Sequence, residues 1–482
     1  MAAASKQVAT LSTQDRHLVN RFSYGVTPAL AARVIEVGGA HRWLNRQLKP
    51  TQIPDPIRGT LRLWYPSLTR SPENLFLRYK NGIESSFEIE KAFARATLMR
   101  RIYTHRQIVE VMTEFWSNHL HVPVPEPKSW PHRMTYDTTI RKHALGRFDE
   151  MLIAAITHPA MSCYLDNAKS TKKNPNENLG RELLELHTVG VAAGYSEQEV
   201  VESALMLTGY RVDIGKTAHA FYDTSVHYQG QIKVLGFTDA NTSSDGRAST
   251  HRYLRYLAHH PLTAQRIAKK LCVHFVRDRP SASIVAAVAK TFRDSGTDIK
   301  ATLRTLVAHP DFAGSVSAKT RTPTEDYVAT ARVLGIRATR PRGDESFANK
   351  AIWQARSMGQ FPFDWPRPDG FPDTAASWTG VARMLNSFRV HDNLAGGYFP
   401  TRDVTYRSPG HWLPHLPATF ETVMVHMARM LIGRRPSADL LSALVTRTGI
   451  HAAQRVHRDD LPDYKVVRML QTILDAPSHM TR

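Results

Sequence analysis

Three polar side chains recur along one short segment, "NENLGRELLELHTVG" at residues 176–190, in an order suited to holding a cation or polarising a substrate. At a helical advance of about 100° per residue, Asn178, Glu182 and Glu185 fall within a stripe about 60° wide. Leu183, Leu184 and His187 take the opposite side, so the segment predicts a helix with a narrow acidic seam and an apolar back. On an ordinary amphipathic helix such a seam is a solvated face. Buried, it needs a cation or donors around it, because desolvated carboxylates are costly alone.

Two other segments place polar groups where packing prefers carbon. In "IVEVMTEFWSNHLHV", Ile108, Met112, Phe115 and His119 share one face and Glu114, Asn118 and His121 another, so His119 is expected to point inward. A lone inward histidine is more often a hydrogen-bonded core residue than a ligand. In "YDTTIRKHALGRF", the face of Ala144 and Phe148 also carries Asp137 and Arg141. That pair is either an exposed helix contact worth a few tenths of a kcal/mol or a buried pair that must be satisfied on every side.

Antiparallel neighbours could bring these three helices together, and bundles commonly build metal sites from inward carboxylates and histidines. The favoured reading is a metal-dependent enzyme. Glu182 and Glu185, with His119 and Asp137, would hold a divalent Mn, Fe or Zn ion that activates water or oxygen, with hydrolysis slightly ahead of oxidation. Arg141 or Arg181 would orient an anionic group, and Asn118 and Asn178 would contact the substrate. The alternative is a non-catalytic binding or assembly protein in which the same residues form a structural polar network that fixes helix register. No H-E-x-x-H, P-loop, G-x-S-x-G or dinucleotide-binding glycine pattern is present.

The elements that must position these groups are mostly helices. Thr27-Pro28 reads as an N-cap and first turn closed by Gly38-Gly39, Ser196 and Glu199 have capping-box spacing, and three His-Pro pairs (158–159, 260–261, 309–310) punctuate helix ends. Residues 218–236 are strand-like around a Gln229-Gly230 turn, which predicts an inserted β-hairpin. The segment "GQFPFDWPRPDGFPD" at 359–373 is too rich in proline and glycine for regular structure and too aromatic to hang in water. It is expected to pack on the core or line a cleft. The fold class is therefore mainly α: a large helical domain over 12–390 with a hairpin insertion, and a helical extension over 391–482 packed on it.

Composition sets the frame. Of 482 residues, 42% are hydrophobic and 22% charged, the balance of a folded globular chain. Lys and Arg outnumber Asp and Glu by 63 to 43, a formal charge of +20 that favours an anionic substrate or polymer. The basic residues are dispersed and no nucleic-acid motif accompanies them, so specific nucleic-acid binding is not expected. Cys163 and Cys272 are isolated and read as core residues. No apolar run reaches the ~18 residues of a membrane span. The N-terminus lacks an export-signal pattern, so as written the chain is expected in the cytoplasm, and in the cell envelope if the true start lies upstream.

Several ordered blocks, "NRFSYGVTP", "MTEFWSNHLHV", "IRKHALGRF", "NENLGRELLELHTVG" with "YSEQEVVESALMLTGY", "HPLTAQRIAKKLCVHFV", "RTPTEDYVATARVLG" and "PRPDGFPD", resemble the bacterial domain of unknown function 1800 family over roughly residues 20–375. The resemblance implies a helical protein of unsolved function, often exported, and a partner similar to the sulfatase and phosphatase superfamily. It carries over Asn118, His119, Arg141, His143, Asn176, Glu177, Asn178, Arg181, Glu182 and Glu185, which implies a ligand-contacting role for His143. Where relatives look like a His-Asp pair, this chain has His227 followed by Tyr228, so a role for His227 in binding is expected to take a different form.

Overall fold

The computed structural model describes residues 8–482. The first seven residues, on which the reading of the N-terminus partly rests, lie outside them.

Helix starts follow the local chemistry. Thr27 caps Pro28–Glu36 by accepting from the Leu30 amide, and Ser196 and Glu199 close a capping box on Glu197–Met206. At the His-Pro pairs the imidazole itself is the cap: Nδ1 of His158, His260 and His309 accepts from the amide two residues on. Proline's restriction of the residue before it is thus only half of the cause. An accepting Nδ1 must be unprotonated, and burial lowers His158 to about 3, keeping it so.

Most helices pack around one core that runs from Leu18 to Leu474, and a smaller second cluster gathers Leu75, Phe76, Phe93, Trp130 and Phe363. Helix Val381–Gly396 packs along Asp463–Asp475, so the boundary expected at 390 falls within an element of that core. Both cysteines are free and buried. Among the described residues no helix is long and apolar enough to cross a membrane.

The protein is mainly α, with small two-stranded antiparallel sheets. The expected single hairpin is two. Tyr210–Val212 pairs with Ala220–Tyr222, and Ile232–Val234 pairs with Phe237–Asp239. The tight turn is not Gln229-Gly230 but Leu235-Gly236, both at positive φ (49° and 86°), the twist that a two-residue hairpin needs. Leu235 is held in that costly conformation because its amide donates to Glu199 and its carbonyl accepts from Tyr256.

The acidic-seam segment also departs from regular geometry. Glu177–Glu182 is α-helical, but Leu183–His187 widens into a π turn. The wider turn changes the angular spacing past Glu182, so the 100° projection does not hold there.

Candidate functional site

The Gln107–His119 helix ends with Phe115, Asn118 and His119 at a cleft of about 420 Å³. A second wall is the Pro261–Phe275 helix, whose Arg266, Lys270, Val273 and His274 follow the spacing of one helical face. The aromatic loop 359–373 forms the third, with Trp365, Asp369, Phe371 and Asp373.

That loop is fixed at several points. His121 Nε2 donates to the Trp365 carbonyl at 2.9 Å, Trp365 Nε1 donates to Asp369 at 2.7 Å, and Lys319 Nζ donates to the Asp373 carbonyl at 2.6 Å. Gly370, at φ +74°, sits so close to the helix end that a Cβ would lie 2.1 Å from the Asn118 carbonyl oxygen. Only glycine permits both the conformation and the approach.

Two histidines define the chemistry of the cleft. His119 and His187 are cross-bonded, His119 Nε2 donating to the His187 carbonyl and His187 Nδ1 to the His119 carbonyl, both at 3.0 Å. A carbonyl only accepts, so His119 carries its proton on Nε2 and its Nδ1 accepts from Lys270 Nζ at 3.2 Å. Burial first, then Lys270, holds the His119 pKa well below its ordinary value. Burial, reinforced by Arg266, lowers Lys270 to about 8. The other histidine, His274, donates from Nδ1 to Asp373 Oδ2 at 2.5 Å, while its Nε2 is buried without a hydrogen-bond partner. Burial alone would raise Asp373, but His274 and Lys319 outweigh it and keep the carboxylate ionised.

The residues anticipated from sequence divide among separate places. Asn118 and His119 line the cleft. Glu182 is half-buried within electrostatic reach of Asp369; burial, then Glu185, then Asp369 raise its pKa, and Arg181 opposes them. Arg181 is drawn to the outer side, bonded to Glu177 and Glu197 and 3.9 Å from Glu185. Asn178 is exposed, so the seam is not buried along its length. Asp137 and Arg141 line a different cavity, where Arg141 meets Glu110 at 3.1 Å and Asp137 at 3.2 Å. His143 is half-buried, 3.9 Å from Glu150. His227 is buried beside the hairpins, its ring spanning the Thr208 carbonyl and Asn241 Oδ1, with Gly246 against it. The proposed ligands His119, Glu182, Glu185 and Asp137 therefore do not meet at one point: His119 lines the cleft and Asp137 a different cavity, Glu182 and Glu185 line neither, and Lys270 occupies the free nitrogen of His119.

Lys270, His274, Asp369 and Asp373 were not singled out from sequence. The available signal was the lysine and histidine four residues apart in "AKKLCVHF", joined to the two aspartates of "PRPDGFPD".

Among the described residues, one group of three or more His, Cys, Asp or Glu side chains brings ligand atoms within 4.8 Å: Asp326, His391 and His479. His391 donates to Asp326 at 3.1 Å and to Asp475 at 2.8 Å, and Arg383 binds the other oxygen of Asp326 at 3.2 Å. Burial disfavours the charge on His391, but Asp326 and Asp475 outweigh it and raise the imidazole to about 9. His479 Nε2 is taken by Thr330 at 2.9 Å. Two carboxylates facing an imidazolium and a guanidinium balance without an ion, so the grouping is satisfied as it stands.

A family model described as "Protein of unknown function (DUF1800)" matches residues 17–481. The chain belongs to that family. The match continues through the expected boundary at 390 nearly to the C-terminus, and the blocks "MTEFWSNHLHV", "HPLTAQRIAKKLCVHFV" and "PRPDGFPD" supply the three walls of the cleft. No curated protein and no solved structure matches the chain.

Proposed function

We propose that the cleft is the active site of an enzyme acting on an anionic substrate, with hydrolysis the favoured reaction. The observation that carries this reading is the His274–Asp373 pair: an imidazole oriented through one nitrogen by an ionised carboxylate, with the other nitrogen unpartnered, at a cleft lined by Lys270, Arg266 and Arg367. In such a pair the aspartate fixes the tautomer and the free nitrogen exchanges the proton. Lys270 and the arginines would hold the anion, Lys270 as a point charge and Arg266 or Arg367 through a planar fork.

A divalent ion in this proposal would be held by Glu182 and Glu185, which lie within electrostatic reach of one another, with Arg181 offsetting part of their charge. Mn, Fe or Zn suits such carboxylates better than a soft metal. The second reading, a binding or assembly protein, is favoured by the Asp137–Arg141–Glu110 network, which ties two helices together away from the cleft.

The test is turnover of p-nitrophenyl phosphate, sulfate and carboxylic esters by the full chain, with and without Mn, Fe or Zn. The His274→Ala variant is expected to lose about 10²- to 10⁴-fold in rate, and Glu182→Ala with Glu185→Ala to lose bound metal by elemental analysis. Turnover that is unchanged in His274→Ala, or absent with every substrate and metal, would favour the binding protein.

A further inference from the structure

We propose that the chain has a second ligand site: the cavity containing Asp137 and Arg141 binds an organic phosphate, a phosphoryl group carried on an apolar or aromatic body. The Gln107–His119 helix contributes to both sites, Val109 and Glu110 to this cavity and Asn118 and His119 to the cleft. Nine residues at about 1.5 Å each put Glu110 and His119 roughly 13 Å apart along the axis. The sites are thus distinct.

The cavity encloses about 490 Å³, within the range of small-molecule sites. Arg58, Arg62, Arg100, Arg106, Arg141 and Lys142 line it. Against these six cations stand Asp55, Glu110 and Asp137. Those carboxylates offset part of the charge, with Asp137 Oδ1 buried and unpartnered. Asp55 accepts from the Thr104 hydroxyl at 2.9 Å and the His105 amide at 3.2 Å, while Glu110 and Asp137 share Arg141. Arg100 lies 3.9 Å from Asp137, and Arg58, Arg62 and Lys142 are exposed with no carboxylate partner among the described residues.

The cavity's donors are not used up internally. All three guanidinium nitrogens of Arg141 are buried, and none makes a hydrogen bond of good geometry despite the nearby carboxylates. A phosphate monoester brings about −1.5 to −2 charges and three acceptor oxygens, which answers both the surplus charge and the unused donors. The lining also includes Phe93, Val109, Met134 and Leu145, a carbon surface that inorganic phosphate would leave uncovered. That surface argues for an organic body on the phosphoryl group.

The experiment is calorimetric titration of the full chain with phenyl phosphate, inorganic phosphate and benzyl alcohol, repeated on Arg58→Ala/Arg62→Ala and on Lys270→Met. Arg58 and Arg62 are exposed, so that double variant is expected to fold, which circular dichroism checks. Phenyl phosphate should bind more tightly than either fragment. In Lys270→Met, which removes the cleft's point charge, phenyl phosphate should still bind, and adding the double substitution should weaken that binding at least about tenfold, the equivalent of one charge-assisted contact. Absence of binding to Lys270→Met, or binding there that survives the added double substitution, overturns the proposal. Binding lost only in Lys270→Met would assign the anion to the cleft. Because the readout is binding at residues outside the cleft, failure of the catalytic reading would leave this result intact.

Discussion

The Asp326 cluster and the cleft both set histidine against aspartate in the interior, and they differ in what is left over. Around Asp326, both nitrogens of His391 are used, Arg383 covers the second carboxylate oxygen, and Thr330 takes His479. In the cleft, His274 has one nitrogen bound to Asp373 and one bound to nothing, beside a lysine lowered to about 8. Residue type alone would favour the first as a metal centre. The bonding pattern leaves the first with its charges paired and the second with an unpartnered imidazole nitrogen, which is why the cleft carries the functional proposal.

The largest effect that separates the two regions is on stability. Asp326→Asn leaves His391 and Arg383 charged and buried with one carboxylate fewer, and should cost about 3 to 5 kcal/mol in urea unfolding. A loss under about 1 kcal/mol would mean that the cluster is not a clamp.

Next in size is pH dependence, which has opposite sign in the two regions. His391 is raised from 6.5 to about 9 in the folded chain, so its contribution is fully present below about pH 6.5 and disappears as pH rises through 9. His187, bonded to His119 behind the cleft, is lowered by burial from 6.5 to about 3, so stability declines as pH falls from 6.5 toward 3. Urea midpoints across pH 4 to 10 should trace both limbs, each bounded by about 1.4 kcal/mol per pH unit per proton. His391→Gln should flatten the alkaline limb alone; an unchanged limb would remove the assignment.

A smaller change tests how the cleft is walled. Gly370→Ala should displace the aromatic loop from Asn118 at a cost of about 1 to 3 kcal/mol, seen as a lower Tm and altered Trp365 fluorescence. A variant as stable as the parent would show that the loop has room to move. The smallest effect is expected at Asn178, whose exposed side chain should tolerate alanine within about 0.5 kcal/mol. A larger loss would return the whole acidic seam to the interior.

Much of the architecture was legible because it depends on near neighbours. Caps at Thr27 and Ser196, the inward turn of His119 and the seating of the 359–373 loop each follow from residue types within a turn or two. The hairpins were blurred because the turn is made by Leu235-Gly236, and leucine at positive φ is tolerated only through Glu199 and Tyr256, which sequence distance conceals. Past Glu182 a π turn changes the helical period, yet Leu183, Leu184 and His187 are buried and Glu182 and Glu185 half-buried, the division the residue types imply.

The sequence by itself determined that this is a mainly helical, strongly basic chain with polar groups on three helices that packing would otherwise fill with carbon. Composition, periodicity and capping are local properties, and local energies decide them. Only the tertiary structure decided which polar groups share a cavity. It set His119 beside Lys270 from 151 residues away and His274 against Asp373 from 99 away, and it turned Asp137 and Arg141 toward a different space. The physical reason is that a buried charge is satisfied by whatever the packing brings next to it, and helical periodicity fixes the face a residue takes but not the neighbour that face will meet.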